Sequence, residues 1–108
     1  MTRDQKLNVY KEAIVKCSRF ELKGKTMPYT SANGYMFSQL NKADELGIRF
    51  SKDLQEKHIQ ELKSTYFTSY GATLKGYVLM PNTLLNNPVK LAEYLNEGFD
   101  YVMSLEPK

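Results

Sequence analysis

Residues 46–50 read Leu-Gly-Ile-Arg-Phe, the strictest pattern in the chain. Leu46, Ile48 and Phe50 are apolar and alternate with Gly47 and Arg49, the two-residue period of a strand with one buried face. Such a strand needs partner strands beside it and an apolar layer against its buried side. The rest of the chain must supply both.

Partner strands are legible on either side. Thr26 to Thr30 reads as a first strand and Tyr35 to Leu40 as a second. They are joined through Ser31-Ala32-Asn33-Gly34, and Asn-Gly is a strong hairpin signal. Pro28 has no N–H to give a ladder, which makes the first strand an edge strand or an irregular one. The polar run Asn41 to Glu45 turns the chain into the third strand. Tyr66 to Tyr70 reads as extended, Gly71 makes a turn, and Leu74 to Met80 forms a fifth strand stopped by Pro81. The nearly continuous apolar stretch Tyr77 to Met80 suits a central strand.

The covering layer comes from three helical periods. From Arg3 to Phe20, Leu7, Tyr10, Ala13, Ile14 and Cys17 recur at spacings of three and four, and Gly24 offers a stop. Ser51 can cap a second helix running to Lys63, with Leu54, His58, Ile59 and Leu62 on one side. Asn87 and Pro88 open a third that runs to Ser104, with Leu91, Tyr94, Leu95, Tyr101, Val102 and Leu105 inward. Gly98 lies inside that helix at a cost of about 1 kcal/mol relative to alanine, which a close approach to another backbone would explain. The order α-β-β-β-α-β-β-α, with short hairpin connections, predicts a two-layer α+β domain over residues 1–108. Its five-stranded, mostly antiparallel sheet is covered on one face by helices.

Composition agrees with a folded chain: 42% hydrophobic and 25% charged residues are ordinary for a globular protein. A single cysteine rules out an internal disulfide and fits a reducing compartment. No apolar run approaches the ~18 residues of a membrane span, and the polar start from Met1 to Lys6 is unlike a signal peptide. The expectation is a cytoplasmic protein without membrane contact. The net charge of +3 is uneven. Seven basic and three acidic groups lie in the first 25 residues, so the basicity belongs to the first helix and its exit.

No catalytic or metal-binding constellation emerges, and no cofactor is expected. His58, the only histidine, falls between Leu54 and Leu62 on an apolar face and reads as half-buried packing. Cys17 shares the inward stripe of the first helix and reads as core. Gly71 to Gly76 lacks a phosphate-loop ending and leads into a strand. Asp44, Glu45 and Asp53 are too sparse for a calcium loop. Two features point to partners. Lys16, Arg19 and Lys23 form the basic side of the first helix and could touch phosphates, although a solvated face is the preferred reading. Tyr29, Tyr35, Tyr66, Tyr70 and Tyr77 fall on strands or their edges, as aromatics do in sheets generally and in single-strand binders particularly.

The stretch Gly71-Ala72-Thr73-Leu74-Lys75-Gly76-Tyr77-Val78-Leu79-Met80-Pro81 resembles the N-terminal domain family of TfoX/Sxy. So do Lys25-Thr26-Met27-Pro28-Tyr29, Asn33-Gly34-Tyr35-Met36-Phe37, and the ending Tyr94, Phe99, Tyr101, Ser104-Leu105-Glu106-Pro107-Lys108. The resemblance spans nearly the whole chain, in the small stand-alone branch of the family. It implies an α-β(3)-α-β(2)-α fold of secretion-chaperone type. It also implies kinship with bacterial regulators of natural competence, whose N-terminal domain has no established enzymatic role. Met27, Tyr29, Asn33, Lys75 and Tyr77, where the resemblance concentrates, are the candidate partner or ligand contacts. The leading expectation is a non-enzymatic interaction or regulatory module acting through protein contacts, as a homodimer, with the Pro28 edge or exposed tyrosines as the contact. The alternatives are a weak nucleic-acid binder using Lys16, Arg19 and Lys23, and a small-ligand protein or enzyme with a site between sheet and helices.

Overall fold

Helix α1 (Arg3–Cys17) begins at a capping box: the Gln5 N–H donates to the Thr2 hydroxyl and the Thr2 N–H to the Gln5 side chain. It ends three residues before the expected Phe20, because Ser18 turns left-handed (φ 57°) and closes the last turn onto the Ile14 carbonyl. Gly24 is therefore no helix stop; at φ 80° it bends the connection that brings Lys23 alongside Tyr29. The structure is a computed structural model describing residues 1–69 and 71–108; Tyr70, expected to end the fourth strand, lies outside the described residues.

The strands are β1 (Tyr29–Ala32), β2 (Tyr35–Leu40), β3 (Leu46–Arg49), β4 (Tyr66–Ser69) and β5 (Ala72–Met80). They form one antiparallel sheet in the order β1-β2-β3-β5-β4. Asn33 and Gly34 both have positive φ and make the tight turn between β1 and β2, with Ala32 opposite Tyr35. Strand β1 starts after the buried Pro28 rather than around it, and Pro28 contributes only its carbonyl, which accepts from the Leu40 N–H. Helices α2 (Lys52–Leu62) and α3 (Pro88–Met103) match the expected spans closely; Ser51 stands at the N-cap of α2 without a side-chain cap bond, whereas the Asn87 side chain caps α3 by accepting from the Lys90 N–H. No helix is long and apolar enough to cross a membrane among the described residues.

All three helices pack on the sheet face that carries Leu40, Leu46, Ile48, Val78 and Met80, and the core lies between. Helix α3 lies directly on the sheet. A Cβ on Gly98 would sit 2.9 Å from both the Arg49 carbonyl and the Ile48 side chain, so the glycine is the close approach that its position suggested. A bulge adds to this face. The β1–β2 register steps from Thr30↔Ser38 to Ser31↔Met36, leaving Phe37 as an extra residue. Phe37 and Ser38 both turn to the helices: Phe37 packs against Phe20 and Phe99, while the Ser38 hydroxyl bonds Tyr10 of α1 and Thr30.

The opposite face carries no helix. There the β4–β5 hairpin folds back over the sheet. Phe67 is fully buried on Gly47, where a Cβ would meet its ring at 2.2 Å, and the Asn41 amide donates to the Thr68 carbonyl at 2.8 Å. The β4–β5 register slips accordingly, from Tyr66↔Val78 to Thr68↔Thr73.

Gly98→Ala separates two opposing effects. Helix propensity alone favours alanine by about 1 kcal/mol. Overpacking against a backbone carbonyl costs about 1–3 kcal/mol, because a carbonyl in a sheet cannot rotate aside. Urea denaturation should show net destabilisation; a variant more stable than the parent would mean that α3 does not sit on β3 as described.

Candidate functional site

The residues marked by sequence divide into those used by the fold and those left available. Asn33 belongs to the fold. Its side-chain amide donates to the Val102 and Leu105 carbonyls, both at 2.9 Å, and so ties the β1–β2 turn to the C-terminal end of α3. The Lys108 N–H donates to the Asn33 carbonyl, binding the C-terminal residues to the β1–β2 turn. Tyr77 is buried beside Phe67, and its hydroxyl donates to the Met36 carbonyl at 2.7 Å. Burial pushes the Tyr77 phenol up to about 12, with the nearby Arg49 charge pulling against it. Tyr29 is half-buried at the start of the edge strand, and Met27 lines a hollow of about 200 Å³ with Asn41, Glu45, Thr68 and Ser69.

The three basic residues assigned to the first helix do not share a helical face. Lys16 is exposed in the last turn of α1, but the helix stops before the other two. Arg19 lies 4.4 Å over the Phe99 ring, donates to Asn96 and pairs with Asp100 at 3.0 Å, which ties the exit of α1 to α3. Lys23 exchanges both backbone hydrogen bonds with Tyr29, and its ammonium donates to Ser31. The Pro28 edge is thus partly occupied by the chain itself. At the other edge β4 presents Tyr66, 42% exposed.

His58 is buried more deeply than expected, at 4% exposure. It joins α2 to α3: Nε2 is 2.9 Å from a Glu97 oxygen, Nδ1 is 3.6 Å from Glu61, and the ring stacks edge-on with Phe50 and Tyr94. Cys17 is buried and its thiol donates to the Ala92 carbonyl; burial raises its pKa, against the lowering effect of Arg19. Both groups serve helix packing.

The remaining candidate, Lys75, leads to the most distinctive site. Where β3 runs into α2, a notch of about 530 Å³ is lined by Arg49, Lys52, Gln55, Lys75, Gly76 and Tyr101. Its cations come from three elements: Arg49 from the end of β3, Lys52 from the first turn of α2 and Lys75 from β5. No carboxylate lines it, and among the described residues none pairs with those three cations. The Arg49 guanidinium instead lies over two rings, 5.6 Å from the centre of Tyr35 and 5.5 Å from that of Tyr101. Lys108 occupies Tyr35 as well, at 5.0 Å. Gly76, at φ 88°, falls where the register of β5 slips against β4, and its carbonyl accepts from the Phe50 N–H just past the end of β3. Gln55 is fixed by its own bond to the Phe50 carbonyl.

Sequence reasoning missed Arg49, because alternation assigned it to the outward, solvated side of its strand. The usable signal was Gly76 beside Lys75, a glycine inside a strand pattern that marks a bulge.

The buried phenols give the fold an alkaline limit. Tyr10 and Tyr77 hold their protons more tightly folded than unfolded, chiefly because burial penalises the phenolate. The stability they add is complete below pH 10, the ordinary value, and is lost as pH climbs through about 12. Urea midpoints measured from pH 8 upwards should fall beyond about pH 10, and Tyr77→Phe should make that fall shallower. An unchanged slope in the variant would mean Tyr77 is not buried as described. Compared with protein-family models, curated proteins and solved structures, the chain matches none.

Proposed function

We propose that this chain is a non-enzymatic interaction module of regulatory type, and that its working surface is the Arg49 notch, which takes an anionic ligand. One observation carries the reading. Three cations from separate elements converge on one concavity without a compensating carboxylate, and the central one is held against aromatic rings. Stability alone gives no reason to gather like charges, whereas binding an anion does. The commitment of His58 and Cys17 to helix packing supports a role in binding rather than in chemistry. The resemblance to the TfoX N-terminal family supports a regulatory, bacterial and cytoplasmic setting. The basic residues Lys16, Arg19 and Lys23 are dispersed, which disfavours the first helix as a nucleic-acid contact.

A second reading, self-association, rests on β4. It is the sheet edge that no other segment of the described chain pairs with, and Tyr66 stands exposed on it. Light scattering during size-exclusion chromatography should show a dimer, and a strict monomer at high concentration removes this reading.

Amide NMR titration with pyrophosphate at low salt tests the leading proposal. Lys52, Lys75, Gly76 and Tyr101 should shift, Lys16 and Lys23 should not, and added salt should weaken the effect. If pyrophosphate, sulfate and an oligoglutamate peptide all leave the notch unmoved, the proposal fails.

A further inference from the structure

The shape of the notch narrows what its anion can be. The positive groups approach from three directions, because β3, α2 and β5 each contribute one. A planar carboxylate carries one charge and two oxygens, and a single arginine fork satisfies it. Three converging cations suit a group with two charges and three terminal oxygens. Arginine and lysine also divide that work well, the fork giving paired, directional donors and the lysines mobile point charges.

The aromatic groups argue against an extended nucleic-acid strand. Such strands are held by free ring faces on which successive bases stack. Here Tyr35 is taken by both Arg49 and Lys108, and Tyr101 by Arg49. No carboxylate among the described residues pairs with the guanidinium, which leaves its charge for a ligand. The volume of about 530 Å³ falls in the ordinary size range of a small-molecule site.

Resting on the reading of the notch as an anion site, we propose that it binds the phosphomonoester dianion of a small molecule. Arg49 supplies the fork, Lys52 and Lys75 neutralise the charge, and Gly76 leaves room for close backbone approach.

The dianion requirement can be read through pH. A phosphomonoester takes up its second proton near pH 6. Around the notch the charged and titratable groups are Arg49, Lys52, Lys75, Tyr101 and Lys108, and no carboxylate or histidine is among its lining residues. His58 is buried between α2 and α3, bonded to Glu97, and does not line the notch. A pH dependence between 7.5 and 5 therefore reports on the ligand.

Phenyl phosphate, phenyl sulfate and diphenyl phosphate should be titrated against the full chain by calorimetry and amide NMR. Phenyl phosphate should bind tightest at pH 7.5 and weaken roughly five- to tenfold at pH 5, where it becomes a monoanion. The other two should change little. Arg49→Met should lose roughly tenfold in affinity, and the exposed Lys75→Gln about threefold. If the arginine variant fails to fold, Lys75→Gln decides alone. Equal binding of all three probes at the notch overturns the phosphomonoester assignment and leaves the anion site standing. A phosphoserine peptide binding tenfold tighter than ribose 5-phosphate overturns the small-molecule assignment. No response of the notch to any anion overturns both this inference and the function it rests on.

Discussion

Helix α3 can lie on the sheet because residue 98 has no side chain. The contact is with backbone, since the Arg49 carbonyl and the Ile48 side chain occupy the space that any larger residue would need. That one approach sets the depth of the helix layer, and the candidate site follows from it. Residues 98 and 101 are three apart and share a helix face. With Gly98 seated on the carbonyl of Arg49, Tyr101 is placed beside the guanidinium of the same residue. The packing that closes the core thus also positions the aromatic wall of the notch. Asn33 holds the far end of the helix by donating to the Val102 and Leu105 carbonyls, so α3 is fixed at its middle and at its C-terminal end.

Two irregularities in the sheet do the rest. The extra residue at Phe37 turns two consecutive side chains to the helix face, one apolar and one a hydroxyl. Without it, period-two alternation would send Phe37 to the side without helices. The second irregularity, around Gly76, is the slip of β5 against β4 between Thr73 and Val78, while β5 keeps its register with β3 and the Gly76 carbonyl accepts from Phe50. Strand β3 has no ladder to complete beyond Phe50, and Arg49, Lys52 and Lys75 are left around a concavity instead of along a flat edge. Bulges commonly re-aim side chains in this way.

The sequence was most informative where local chemistry is self-contained. Asn33-Gly34, Asn87-Pro88, Pro81 and the alternation at 46–50 each carry their own physical reason, and the element order and α+β class followed from them. It was least informative where a residue's role depends on what lies across the fold. The helical period of α1 continues past Cys17, but Ser18 turns left-handed, and Phe20 and Arg19 gain more from Phe37, Phe99 and Asp100 than from another helical turn. Lys16, Arg19 and Lys23 looked like one face for that reason. The folding of β4 over Gly47 left no trace beyond a glycine in a strand, and the irregular register that permits it is a tertiary outcome. Arg49 was hidden because alternation marks a position as outward without saying what else points there.

The energetics of Arg49 explain why its surroundings read as a site. A cation over an aromatic ring gains about 0.5–1 kcal/mol at exposed positions and about 2 when desolvated. A hydrogen bond to a carboxylate contributes about 1.5–3 kcal/mol. For stability alone, a glutamate beside Arg49 would serve as well as two tyrosines and would also offset the repulsion from Lys52 and Lys75. The ring contacts hold the guanidinium, and no carboxylate among the described residues pairs with it, so the charge is fixed in place and still uncompensated. A local arrangement that forgoes available stability is where function is to be sought. Preorganisation of this kind spares a ligand the cost of ordering the arginine when it binds.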